Sequence, residues 1–197
     1  MLIIVEGLWG VGKTSLCEYL ERDQGFIFFR EPDHKQNPYL VENIDEWYYQ
    51  AHLDNLQKAL RASDKFIVVE RSIASTYAYI KSRGEHSAIL SKMPTLGNVD
   101  MCIFLTVPYV DYQSLIDTRP HSIFQDSVLK SERFLRSYQV CLKKYILQFF
   151  PKILLFPIVV TKGGKFISKE YICSLVMAII KKLNKQGGRD AYRHIWH

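Results

Sequence analysis

Residues 7–14 read Gly-Leu-Trp-Gly-Val-Gly-Lys-Thr, a complete G-x-x-x-x-G-K-[ST] loop. Such a loop turns backbone N–H groups inward on a phosphate, and the N-terminus of the following helix adds a favourable dipole. Gly7, Gly10 and Gly12 let the backbone approach the ligand, and Val11 and Ser15 complete the cradle. The Lys13 ammonium is placed to reach the outer phosphates, and the Thr14 hydroxyl suits Mg²⁺. Two further charged clusters, Arg30-Glu31-Pro32 and Glu70-Arg71-Ser72, directly follow apolar runs. Arginines aimed at a triphosphate suit phosphoryl transfer, because its transition state spreads negative charge over equatorial oxygens. These residue types predict a nucleoside triphosphate held together with Mg²⁺.

Positioning those groups requires strands that end at one edge. Apolar runs at residues 2–6, 26–30, 66–70, 101–106 and 153–157 read as strands. Helical patterns fall between them, at about 13–22, 39–62, 72–83, 109–117, 128–149 and 168–185. That alternation predicts an α/β fold with a central five-stranded parallel sheet flanked by helices. Ligands of such sheets bind outside the carboxyl ends of the strands, where the loop and both charged clusters fall. Residues 84–99 read as a loop, and 119–127 as a polar connection between two helices. We expect a single domain over 1–185 and a basic tail, 186–197, that begins with Gly-Gly and frays.

Composition narrows the class. With 48% apolar residues in 197, the chain can bury a substantial core. No stretch approaches the ~20 apolar residues of a membrane span, and the N-terminus runs directly into a strand, so the expectation is a cytoplasmic protein, or a nuclear one if a partner carries it there. Cys17, Cys102, Cys141 and Cys173 are widely spaced in apolar segments, which fits packing better than metal or disulfide chemistry. The net charge of +6 is carried entirely by the segment after residue 160. Nucleic-acid enzymes carry their basic stripe on the catalytic body, so neither a nucleic-acid nor a membrane partner is expected.

The quoted residues resemble the thymidylate kinase and deoxynucleoside kinase branch of the P-loop kinases over most of residues 1–150. In thymidylate kinases the second strand typically ends Arg-Glu-Pro and the third Asp-Arg-Tyr, followed by a Ser and an Ala-Tyr pair. Here stand Arg30-Glu31-Pro32, Glu70-Arg71-Ser72, Ser75 and Ala78-Tyr79. The stretch from Phe104-Leu105-Thr106-Val107-Pro108 to Arg119 resembles that family's fourth strand, helix and lid arginine, and Arg133 and Tyr138 resemble an Arg and a Tyr on the next helix. The resemblance implies a P-loop nucleoside/nucleotide kinase fold with a small lid at about 119–127 and a homodimer through helices flanking the sheet. It implies that Arg30 and Arg71 hold an acceptor phosphate, that Tyr79 presses on the sugar against a 2′-hydroxyl, and that Arg119 closes on ATP.

Other residues resemble deoxynucleoside kinases, whose acceptor is a 5′-hydroxyl. Glu70-Arg71-Ser72 with Ile73 and Ser75 is closer to their Glu-Arg-Ser, and Tyr49-Gln50 resembles their Phe-Gln, in which the glutamine reads the base edge. Glu31-Pro32 fits their Glu-Pro, where the glutamate takes the hydroxyl proton. A hydroxyl needs such a base, whereas a phosphate oxygen is already a nucleophile. The tryptophan that usually follows their Glu-Pro is missing from residues 33–37. Trp9 stands where thymidylate kinases usually carry an acid, and an arginine of their second helix is replaced near His52. Between Arg119 and Arg133 the only cation is Lys130. An isolated helical His52 reads as a satisfied, partly buried residue, and Trp47 and Tyr48 read as packing. Trp9 fits either a pocket wall or packing.

The leading reading is an ATP- and Mg²⁺-dependent kinase of a deoxynucleoside monophosphate, dTMP above others. Lys13, Arg71, Glu31 and Arg119 carry catalysis, Thr14 and Glu70 hold the metal, and Arg30, Glu31, Gln50, Arg71, Ser75 and Tyr79 hold the acceptor. The alternative is a deoxynucleoside kinase acting on a 5′-hydroxyl such as thymidine's. A second alternative is a degenerate ATP-binding protein without transfer.

Overall fold

Strands buried on both faces read as unbroken apolar runs, and β1 (Leu2–Gly7) is buried along its whole length. The structure, a computed structural model, describes residues 1–33, 43–62, 66–94, 96–118 and 131–185. β1 joins β2 (Ile27–Phe29), β3 (Ile67–Glu70), β4 (Met101–Thr106) and β5 (Leu154–Val159) in one parallel sheet of order β2-β3-β1-β4-β5. The register pairs Ile4 with Val69 on one side and with Cys102 on the other, so the aliphatic centre of the sheet is continuous. All five expected strands are present, each within one or two residues of its expected bounds.

The helices are α1 (Lys13–Gln24), α2 (Ile44–Arg61), α3 (Ile73–Arg83), α4 (Tyr109–Thr118), α5 (Glu132–Phe149) and α6 (Lys169–Lys185). α3 packs on α2 and α5, and α1 packs on α6. Asn43 begins α2 with its side chain accepting from the Glu46 N–H at 3.1 Å, and Ser131 caps α5 through the Phe134 N–H. The expected helical residues 39–42 and 128–130 lie outside the described residues, as do Arg119, the rest of the expected lid and the 186–197 tail.

Two elements depart from expectation. Within the expected loop 84–99, a short 3₁₀ turn forms at Ala88–Ser91, started by Ser87. After β5 a small antiparallel hairpin pairs β6 (Thr161–Lys162) with β7 (Lys165–Phe166) through Gly163-Gly164, both at positive φ. Cys17, Cys102 and Cys173 are buried, Cys141 is half-buried, and all four thiols are free. No helix among the described residues is long and apolar enough to cross a membrane.

β1 lies between β3 and β4, where the strand order changes direction, so a crevice opens at its carboxyl end. Gly7 occupies that point with φ 144°, and a Cβ there would sit 2.3 Å from the Leu105 carbonyl oxygen. Gly7→Ala therefore combines a forbidden backbone angle with a backbone clash. It should lower stability by about 2–4 kcal/mol, read as a fall in the urea midpoint with an unchanged m-value.

Candidate active site

The loop after β1 hands the chain to α1 at Gly12, whose left-handed φ of 94° starts the helix without a side-chain cap. No acidic residue lies in the first turn of α1. The first N–H groups of the helix keep their donor capacity for an anion. Lys13 folds back, its Nζ donating to the Leu8 carbonyl at 2.7 Å. Burial, reinforced by the nearby Arg71 charge, lowers the Lys13 ammonium to about 8. The Thr14 hydroxyl donates to Glu70 Oε1 at 2.5 Å, and Glu70 Oε2 accepts a long contact from the Glu31 N–H at 3.5 Å. On the far side of the loop a cleft of about 180 Å³ is walled by Val11, Gly12, Ser15, Leu105, Phe166 and Lys169. The unexpected hairpin supplies one wall of it.

Among the described residues no group of three or more His, Cys, Asp or Glu could hold a metal. Mg²⁺ in phosphoryl-transfer sites takes one or two protein oxygens and completes its shell with water and phosphate. A Thr14 hydroxyl beside a Glu70 carboxylate at the mouth of an anion cradle fits that pattern.

A larger cleft, of about 240 Å³, opens beyond the tips of β2 and β3. Arg71 lies at its floor with only 2% of its side chain exposed. Its Nε is ion-paired with Glu31 Oε1 at 2.7 Å, its Nη1 donates to Gly7 O (3.2 Å), Ser75 Oγ (3.1 Å) and Tyr138 OH (2.9 Å), and its Nη2 is buried with no hydrogen-bond partner among the described residues. The guanidinium also sits 4.8 Å from the centre of the Trp9 ring. Arg71 is the one non-glycine at positive φ among the described residues, at 65°, a strained conformation for a side-chain-bearing residue.

Glu6 explains how that strain is held. This carboxylate is fully buried at the end of β1, accepting from Ser72 N–H and Ser72 Oγ at 2.8 Å and from Ser75 Oγ at 2.7 Å. The Arg71 N–H is fixed by the Val5 carbonyl at 3.0 Å. Ser72 then caps α3 through the Ala74 N–H. Burial raises the Glu6 carboxyl above its ordinary range, against the pull of Arg71 and the serine hydroxyls. Burial would likewise raise Glu31, but the charges of Arg71 and then Lys13 hold it below its ordinary value. Glu31 is therefore an ionised carboxylate that borders the cleft.

The structure brings together Lys13, Thr14, Glu31, Glu70, Arg71, Ser75 and Tyr79. Arg30 turns outward to Glu18 at 2.8 Å, over Phe28, and does not line the cleft. Gln50 lies on the exposed side of α2 and donates to Asp54 at 2.8 Å. The face of α2 towards the cleft carries Asp45, Tyr48 and His52 instead, spaced one helical stripe apart. Tyr48 is thus a wall residue, and His52 is buried with only its Nδ1 engaged, 3.0 Å from Thr76 Oγ1. Asp45 pairs with Arg83 at 2.5 Å, and Arg83 also pairs with Glu85 and stacks on the Tyr79 ring. Trp9 packs between Tyr79, Phe134 and Tyr138, so it is both wall and packing. A signal for Glu6 was present in sequence, an acid closing an apolar strand directly before the loop. Asp45 could be found only by knowing the rotation of α2, and His52, expected to be satisfied and partly buried, is 3% exposed with its Nε2 unpartnered among the described residues.

No protein-family model matches the sequence, and no curated protein matches it. Solved structures do. Deoxyadenosine kinase from M. mycoides with bound dATP is similar at a TM-score of 0.67 and 17% identity, over 92% of this chain and 100% of that one. Thymidylate kinase from Candida albicans is similar at 0.61 and 18% identity, over 93% and 92% of the two chains. Thymidylate kinase from Ehrlichia chaffeensis is similar at 0.59 and 16% identity, over 91% and 98%. The five-stranded parallel sheet, its flanking helices and the glycine loop make this fold that of the P-loop nucleoside and nucleotide kinases.

Proposed function

We propose that the chain is an ATP-dependent kinase that phosphorylates the 5′-hydroxyl of a deoxynucleoside. The observation that carries this reading is the Glu31–Arg71 pair, set in an electrically balanced cleft. Among the described residues lining it, Arg71 is matched by Glu31 and Arg83 by Asp45. A dianionic acceptor phosphate would meet two carboxylates there and two arginines already ion-paired to them, with only buried guanidinium nitrogens, such as Arg71 Nη2, lacking a hydrogen-bond partner. A neutral hydroxyl acceptor meets an ionised base. Likeness to both deoxyadenosine and thymidylate kinases supports a nucleoside or nucleotide acceptor in general.

In this reading the loop amides and Lys13 hold the triphosphate of ATP, and the cleft beside Ser15 takes the nucleoside end of the donor. Thr14 and Glu70 would hold the Mg²⁺ that accompanies the nucleotide; bound there, it neutralises phosphate charge. Glu31 accepts the proton of the 5′-hydroxyl as its oxygen bonds to the γ-phosphorus. The bond from that phosphorus to the bridging oxygen breaks, and ADP leaves with the electron pair. Arg71 keeps Glu31 ionised and oriented, and the aromatic walls of Trp9, Tyr79 and Tyr138 exclude water from the reacting group.

One observation favours the monophosphate reading, with dTMP as acceptor. Arg30 stands at the tip of β2, and its pair with Glu18 is largely exposed. Breaking such a pair costs about 0–1 kcal/mol, so a phosphate can recruit that arginine. Assays with each deoxynucleoside and its monophosphate, following ADP, separate the readings. Glu31→Gln should lower turnover of a nucleoside by about 10²- to 10⁴-fold while ATP affinity by calorimetry stays near native. If that variant retains full speed, the proposal is wrong. ATP binding without acceptor-dependent ADP release would point to the degenerate alternative.

The lowered Lys13 value predicts a pH dependence. The free protein loses the Lys13 charge as pH rises through about 8. kcat/KM for ATP should therefore fall above that pH, because it reports the free protein. kcat should stay flat there, since bound phosphates stabilise the protonated ammonium. A pH–rate profile from 6 to about 9.5 tests this; equal inflections in both parameters would contradict it.

A further inference from the structure

The buried imidazole on the cleft wall has an unused edge. His52 is 3% exposed, its Nδ1 lies 3.0 Å from Thr76 Oγ1, and its Nε2 has no hydrogen-bond partner among the described residues. An unmet buried nitrogen destabilises the folded chain, so an apolar side chain would fill this wall better. The same side chain borders the acceptor cleft, where Tyr48, one turn earlier, places its ring 5.8 Å away. That ring lies beside the imidazole and offers a flat surface to a planar ligand. Gln50, the other amide or imidazole on this part of α2, is committed to Asp54 on the opposite side.

We infer that His52 reads the polar edge of the acceptor's base, through a hydrogen bond at Nε2. This rests on the kinase reading above and adds the residue that sets base preference. Burial holds His52 down to about 4, so the group is a neutral imidazole and recognises an uncharged edge. The bond to Thr76 fixes the ring plane, so a ligand meets a preset nitrogen rather than a rotating one.

The test uses the intact protein, ATP and the four common deoxynucleosides, continuing with whichever is phosphorylated best. His52→Asn keeps a polar atom near Nδ1, and so the Thr76 bond, but removes the Nε2 position. His52→Gln reaches the Nε2 position. The expected result is an acceptor KM raised about tenfold in His52→Asn, with ATP KM and melting temperature near native, and substantial rescue in His52→Gln. An acceptor KM unchanged in His52→Asn, or an ATP KM raised by the same factor, overturns the inference. Should either variant fail to fold, ¹⁵N-histidine spectra of the native protein decide. The His52 Nε2 resonance must move on adding the acceptor and not on adding ATP alone. Native turnover with that resonance unmoved overturns the role of His52 and leaves the kinase reading standing. If no deoxynucleoside or monophosphate is phosphorylated, the kinase reading falls, and this inference with it.

Discussion

A guanidinium stripped of water must be surrounded by acceptors, and the site is organised around that requirement at Arg71. Its Nη1 donates to the Gly7 carbonyl, Ser75 and Tyr138 and its Nε is ion-paired with Glu31, groups contributed by the glycine loop, α3, α5 and the tip of β2, while Nη2 has no hydrogen-bond partner among the described residues. Removing one partner of such a buried pair costs about 3–5 kcal/mol, because an uncompensated charge remains. The pair therefore fixes the relative positions of four segments more firmly than its net stabilisation suggests. It joins the glycine loop to the larger cleft through one side chain.

Keeping Arg71 in place requires an unfavourable backbone angle, and Glu6 offsets it. The buried carboxylate takes three hydrogen bonds from Ser72 and Ser75, which start α3 immediately after the strained residue. Local strain held by surrounding contacts is common where geometry must be preset. The consequence is electrostatic as well as steric. Arg71 and Lys13 hold Glu31 ionised beside the cleft, while burial raises Glu6 and lowers Lys13. Three neighbouring groups are thus given separate titration behaviour by depth and charge alone.

The cleft beyond β2 and β3 is apolar in its walls and balanced in its charges. Trp9, Tyr48, Tyr79 and Tyr138 supply flat surfaces, and the Asp45–Arg83 and Glu31–Arg71 pairs supply oriented polar edges with no net charge between them. Such a surface suits a flat, uncharged ligand part better than a dianion. The indole of Trp9 covers the Arg71 guanidinium, 4.8 Å from the centre of its ring.

Much of this was determined by residue order alone. The glycine loop needs only its spacing, and β1, β3 and β4 announce themselves as apolar runs because burial on both faces tolerates little else. Glu31, Glu70 and Arg71 could be placed at the site because they directly follow such strands, whose ends share one edge. Helix rotation was another matter. Tyr49, Leu56 and Ala59 pack into the core, and that packing turns His52 inward and Gln50 to solvent. Adjacent sequence motifs cannot reveal this, since residues two apart on a helix face nearly opposite ways. Arg30 turns outward to Glu18, twelve residues earlier on α1, and the hairpin after β5 turns on two glycines, too short a signal to read. Tertiary packing chose which side chains meet, because only the folded chain sets the distances over which charge and hydrogen bonding act.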